Sequence, residues 1–113
     1  MSEIADAKGN AVTITHHVQG QGGKYIAEIE GETATGYLEW EPQGGPPDDD
    51  TANEVRVATH TIVPSAISDR GIAGLLVNRL IADARDKGFK IVPQCSYVAA
   101  KFDENPDWSD LRA

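Results

Sequence analysis

Residues 55–97, VRVATHTIVPSAISDRGIAGLLVNRLIADARDKGFKIVPQCSY, limit the possible folds more than any other stretch. Val55, Val57, Thr59, Thr61 and Val63 alternate with Arg56, Ala58, His60 and Ile62, which predicts a strand over residues 54–63. Pro64 ends it, because proline has no N–H for a ladder. A glycine-bearing loop follows. Ile72, Leu76, Leu80 and Ala84 then recur at i,i+4, with Asn78, Arg79, Asp83, Arg85 and Asp86 on the other face. This is a helix with one buried stripe. Lys87 and Gly88 suit its C-terminal end. Residues 89–94 read as a second strand, and Pro93 within it implies an edge left unpaired at that point. Strand, helix and strand in this order require a right-handed parallel crossover.

The segments before the crossover read as a meander. Residues 11–19, 24–30 and 36–41 each alternate apolar and polar side chains, with glycine-rich turns between them. Residues 1–10 are polar and expected to fray. Residues 42–53, PQGGPPDDDTAN, cannot join a strand and read as an exposed hairpin loop. Asp48, Asp49 and Asp50 lack the spacing of a calcium loop, so they read as solvated. After the crossover, residues 97–105 read as a second helix with Ser96 as N-cap and Val98 and Phe102 as its apolar stripe. Asn105-Pro106 stops it. Trp108 and Leu111 are expected to dock the tail. The order β-β-β-β-α-β-α fits one α+β domain over residues 1–113.

Composition excludes several function classes. The chain has 113 residues, enough for one domain with a core. Eighteen acidic against 10 basic residues give a net charge of −8, the opposite of a nucleic-acid binder. That charge suits solubility, or a cationic partner for Glu28, Glu39 and Glu41. The opening residues have no basic and apolar leader pattern, and no apolar run reaches the roughly 20 residues a membrane span needs. The single cysteine excludes an intrachain disulfide and fits a reducing compartment. The expectation is a cytoplasmic protein with no nucleic-acid or membrane partner.

The candidate chemistry clusters at the strand ends of the crossover. Ser68-Asp69-Arg70-Gly71-Ile72-Ala73-Gly74 opens the first helix, where free N–H groups and the helix dipole favour a phosphate. Close helix–strand packing would use the same glycines. Neither the P-loop nor the dinucleotide fingerprint is present. Cys95 stands between a strand end and a helix N-terminus, which favours a reactive thiolate; a buried small hydrophobe is the alternative. Tyr97 offers a phenol beside it, or a packing ring. His60 reads either as a base or as a half-buried strand residue. No catalytic triad can be assembled, and no His/Cys cluster has metal-ligand spacing.

The run from Thr59 to Leu111, with Val63-Pro64, Gly71-x-Ala73 and Ile91-Val92-Pro93-x-Cys95-Ser96-Tyr97, resembles the small stand-alone branch of the GNAT superfamily of N-acetyltransferases. The resemblance implies a GNAT-like fold whose crossover strand is splayed from the strand before it. It implies acetyl-CoA as cosubstrate and an amine acceptor, a small molecule or a basic peptide. Asp69, Arg70, Gly71, Ile72, Ala73 and Gly74 would hold the pyrophosphate, and Ile62 and Val63 would pair with the pantetheine arm. Ser68 and Asp69 depart from the superfamily's turn. Phe102 stands where many members carry a tyrosine acid, which leaves Cys95 and Tyr97 as the candidate proton donors. The helices that usually wall the acceptor site are missing, so that groove is expected to be open. A non-catalytic CoA-binding module is the alternative.

Overall fold

Six strands form one sheet in chain order, each hydrogen-bonded to its sequence neighbour. The computed structural model describes residues 4–6, 9–19, 22–42, 55–68 and 71–113. The strands are β1 (Ile4–Ala5), β2 (Ala11–Gln19), β3 (Gly22–Ile29), β4 (Thr35–Pro42), β5 (Val55–Ile62) and β6 (Lys90–Pro93). The first five run antiparallel, and β6 lies parallel to β5. Helix α1 (Ile72–Lys87) makes the crossover, α2 (Ser96–Glu104) follows β6, and a 3₁₀ segment, Pro106–Leu111, closes the chain. This is the mixed α+β, GNAT-like arrangement. The expected loop over residues 42–53 lies outside the described residues apart from Pro42, the last residue of β4.

Register explains the core. Tyr25 pairs with Leu38, Ala27 with Gly36, and Trp40 with Ala58, so these residues share one face. The stripe of α1 covers that face: Ile72, Leu76, Leu80 and Ala84 are buried as the i,i+4 spacing predicts, together with Val77 and Ile81. Each fully buried aliphatic side chain contributes about 1.5–3 kcal/mol. Trp40 lies flat over Gly23, where a Cβ would stand 2.6 Å from the indole nitrogen, so only glycine fits there. The tail docks as expected. Leu111 is buried, the Trp108 ring meets Phe102 edge-on at 5.7 Å, and the Ala113 N–H donates to the Ile91 carbonyl.

A polar network is packed into the same face. The Tyr25 hydroxyl donates to Asp83 Oδ2 at 2.7 Å, and Arg79 Nε donates to Asp83 Oδ1 at 3.3 Å. Trp40 Nε1–H donates to His16 Nε2 at 3.0 Å, and the His16 ring stacks on Tyr25 at 4.2 Å. Burial, then the nearby Arg56 charge, holds the His16 pKa below its ordinary value. A neutral ring is also what the Trp40 bond requires, because a protonated Nε2 cannot accept.

Three sequence expectations are corrected. Residues 1–10 are not simply frayed: Ile4 and Ala5 pair with β2. Asp6 is buried and closes the turn by accepting the Asn10 N–H at 2.8 Å. The second helix is capped by Cys95, not Ser96. Cys95 keeps an extended backbone because its N–H still donates to the Ala58 carbonyl at 2.8 Å. Finally, β5 does not alternate evenly. Glu39 pairs with His60 but Trp40 pairs with Ala58, so Thr59 is an extra residue, a β-bulge. The bulge puts Thr61 on the helix face beside Leu38 and leaves His60 and Ile62 on the face with Val55 and Val57.

Candidate functional site

The sheet opens where β5 outruns β6. The two strands pair only from Val55 with Lys90 to Ala58 with Pro93. Beyond that point β5 continues to Ile62 with no described strand on that side. Proline at the end of β6 and the Cys95 N–H bond to Ala58 turn the chain away. The splay expected from Pro93 is therefore a gap beside residues 59–62.

The helix-face side of the gap carries the thiol. Cys95 Sγ lies 3.6 Å from Thr61 Oγ1 and is half-buried. Burial is the largest single influence and opposes the thiolate. The N–H of Val98, the Thr61 hydroxyl, and the N–H groups of Tyr97 and Thr61 together outweigh it, so the Cys95 pKa is lowered. The sulfur makes no cap hydrogen bond of ordinary geometry, yet it faces those amides at the start of α2, where a thiolate is favoured. Thr61 was not singled out from the sequence, because even alternation hides the bulge that aims it at Cys95.

Tyr97 reaches the other wall. Its hydroxyl lies 3.6 Å from where a Cβ on Gly74 would stand, so it bridges the starts of α2 and α1. Lys101 Nζ sits 5.5 Å from its ring centre. The glycine turn leads into α1. Gly71 caps α1 in the left-handed region with φ of 73°, which costs glycine nothing. The first helical bond runs from the Leu75 N–H to the Gly71 carbonyl. The N–H groups of Ile72, Ala73 and Gly74 therefore have no helical partner. Asp69 and Arg70 lie outside the described residues. Ser68 turns its hydroxyl onto the Ser65 carbonyl at 3.1 Å. Val63 is half-buried, Ile62 is 47% exposed on the opposite face, and Phe102 is core.

The other face of the sheet is uncovered. None of its described residues is buried, from Lys24, Ile26 and Glu28 through Tyr37 and Glu39 to His60 and Ile62. It holds a cavity of about 630 Å³ bordered by Lys24, Glu39, Glu41, Thr59, His60 and Gln94. Among the described residues no group of three His, Cys, Asp or Glu side chains is placed to hold a metal. No described helix is long and apolar enough to cross a membrane.

No curated protein matches the chain. Residues 24–111 match a family described as GCN5-related N-acetyl-transferase, a span running from β3 through the splay and the glycine turn to the docked tail. The thiol, the opened strand pair and the capped helix all fall inside it, and the chain belongs to the GCN5-related N-acetyltransferase family.

Proposed function

We propose that the protein transfers an acetyl group from acetyl-CoA to a primary amine, using the gap between β5 and β6 as its cofactor cleft. The observation that carries this reading is the free edge of β5 with Cys95 and Thr61 beside it. A pantetheine arm carries amides and can pair with that edge at Ile62 and Val63 as an added strand. The N–H groups of Ile72, Ala73 and Gly74, which have no helical partner, would bind the pyrophosphate, with Asp69 and Arg70 in the same turn. The missing Cβ at Gly74 leaves room for close approach, with only the Tyr97 hydroxyl in contact range.

In this reading the Val63 N–H polarises the thioester carbonyl, an oxyanion-type contact. Binding at the gap supplies proximity for the amine. As the C–N bond forms and the C–S bond breaks, Cys95 or Tyr97 protonates the leaving thiolate. Cys95 is the better placed, because it touches β5 through Thr61 while Tyr97 points at α1. In a two-step variant Cys95 first takes the acetyl group and then passes it on. A single thiol held ready in this way fits a reducing compartment.

The test is turnover of acetyl-CoA with a panel of primary amines, following both free thiol and N-acetyl product by mass spectrometry. The reading expects both to appear together. Acetyl-CoA binding without product from any amine would contradict it. A transient acetyl group on Cys95, trapped by acid quench, would select the two-step variant.

A further inference from the structure

Two ties fix Cys95 to β5, and they straddle the bulge. The Cys95 N–H donates to the Ala58 carbonyl at 2.8 Å, before the extra residue. Cys95 Sγ lies 3.6 Å from Thr61 Oγ1, after it. Ala58 and Thr61 are three residues apart, and in an even strand an odd separation puts two side chains on opposite faces. The register shift between Glu39 and Trp40 brings both to the helix face. In an even strand His60 would share that face with Ala58, and the bulge sets the Thr61 hydroxyl there in its place. We infer that Thr61 is a positioning residue for the reaction: its hydroxyl holds the Cys95 sulfur at the gap whether or not the sulfur carries its proton, and Thr59 locks the bulge that aims it. This rests on the role given to Cys95 in the acetyl transfer proposed above.

Threonine is suited to such a tether. Its hydroxyl has one donor proton and two acceptor lone pairs, so it can accept from a thiol S–H and donate to a thiolate. Branching at Cβ restricts χ1 and keeps the hydroxyl in place. A second threonine holds the bulge. Thr59 Oγ1–H donates to the Glu39 carbonyl at 3.3 Å, at the residue where the register shifts. A bulge locally disrupts the ladder, and this bond occupies a carbonyl at the disruption. Charged side chains are turned elsewhere. His60 is exposed on the opposite face. Residues 91–94, which lead into Cys95, carry no charge. On α2, Lys101 Nζ lies 3.5 Å from Glu104 Oε1, and the Tyr97 hydroxyl reaches toward Gly74 in the first turn of α1, which has no acidic residue. Among the described residues, the polar contacts of the sulfur are the Thr61 hydroxyl and the N–H groups of Val98, Tyr97 and Thr61.

The proton balance closes on this pair. As the C–N bond forms and the thioester C–S bond breaks, the Cys95 S–H proton goes to the departing CoA sulfur. The Thr61 hydroxyl then turns from accepting to donating, and Cys95 stays in place as a thiolate. The proton shed by the new amide nitrogen reaches Cys95 through solvent and restores the S–H.

Iodoacetamide is the probe of the sulfur, with the rate of alkylation followed against pH in the absence of acetyl-CoA. Cys95 is the single cysteine, so the rate reports on it alone. Thr61→Val is close to threonine in shape but lacks the hydroxyl. It should raise the midpoint of the alkylation profile by about 1 pH unit. In the turnover assay with the panel of primary amines it should lower kcat about 10–100-fold and leave the KM for acetyl-CoA unchanged. Thr61→Ser keeps the hydroxyl and should return both readings close to wild type. A side chain that only packed would give the reverse order, because valine keeps the branch and serine loses the methyl. Thr59→Val should move the midpoint the same way by a smaller amount, and should add nothing in the Thr61→Val protein. Circular dichroism checks that the variants fold, and Thr61→Ala replaces the valine if that strand is disturbed. An unchanged alkylation profile in Thr61→Val, or Thr61→Ser behaving like Thr61→Val, would overturn the inference and leave the acetyl transfer standing. A shifted profile with unchanged kcat would also overturn it, by separating the hold on the sulfur from the reaction. Wild-type protein that binds acetyl-CoA and acetylates no amine would remove the acetyl transfer and the role of Thr61 in it, whatever the alkylation profile.

Discussion

On one face of the sheet Tyr25, Leu38, Trp40 and Ala58 are buried under α1. On the other, Lys24, Tyr37, Glu39 and His60 lie open, although they belong to the same strands. The covered face holds the close-packed core and a polar network with paired donors and acceptors. The open face holds the loose Lys24–Glu39 ion pair and a cavity. The packing that stabilises the fold is thereby confined to one side of these three strands, and the other side is left uncovered. The two sides meet at the gap past Ala58, where the bulge at Thr59 sends Thr61 to one face and His60 to the other. Substitutions on the covered face should therefore change unfolding, and substitutions at the gap should change turnover.

The largest effect is expected at the gap. Cys95→Ala should lower kcat by about 10²–10⁴-fold, the usual worth of a positioned acid. The unfolding midpoint in urea should barely move, because the thiol is only half-buried. Full turnover in this variant would exclude both roles given to the thiol. On the covered face, Tyr25→Phe should do the reverse. It leaves Asp83 without its 2.7 Å donor and should cost about 1–3 kcal/mol in denaturant unfolding, with kcat unchanged. Lost activity with unchanged stability would break the division between faces.

How much of this was legible in the sequence follows from what each residue depends on. The stripe of α1, the Gly88 stop and the docking of Leu111 are set by local spacing, and each is found where periodicity puts it. The splay was visible through Pro93, whose missing N–H is a local fact. The bulge was not, because it depends on the partner strand: Thr59 is extra only relative to Glu39 and Trp40. That single residue hid the Cys95–Thr61 contact and placed Thr61 on the wrong face. The strand at Ile4 and the cap at Cys95 were hidden for the same reason. Each depends on a partner distant in sequence, β2 for the first and the Ala58 carbonyl for the second.

A smaller effect should follow pH on the covered face. The His16 pKa is lowered by burial and then by Arg56, so the unfolded chain takes up a proton at about the ordinary value of 6.5 while the folded chain resists it. The unfolded state then binds more protons, and stability falls as pH drops below that value. It levels off once the folded ring also titrates. His16→Gln, which keeps an acceptor for Trp40, should flatten this part of the curve. An unchanged slope would show that other groups set it.

The smallest change should come from Gly74→Ala. The added methyl meets only the Tyr97 hydroxyl at 3.6 Å, an ordinary contact. Helix propensity should raise stability by roughly 0.8–1 kcal/mol. The KM for acetyl-CoA should rise a few-fold if the cofactor needs that space. An unchanged KM would make Gly74 a packing residue only.

The proposed function stands or falls with acetyl-CoA binding in the gap beside β5. Its most direct test is a titration of the labelled protein with acetyl-CoA, read from backbone amide resonances. The largest shifts are expected at Ile62 and Val63, at Ile72, Ala73 and Gly74, and at Cys95 and Tyr97, with β1 and β2 unmoved. Shifts centred on Lys24 and Glu41, or none at saturating acetyl-CoA, would contradict it.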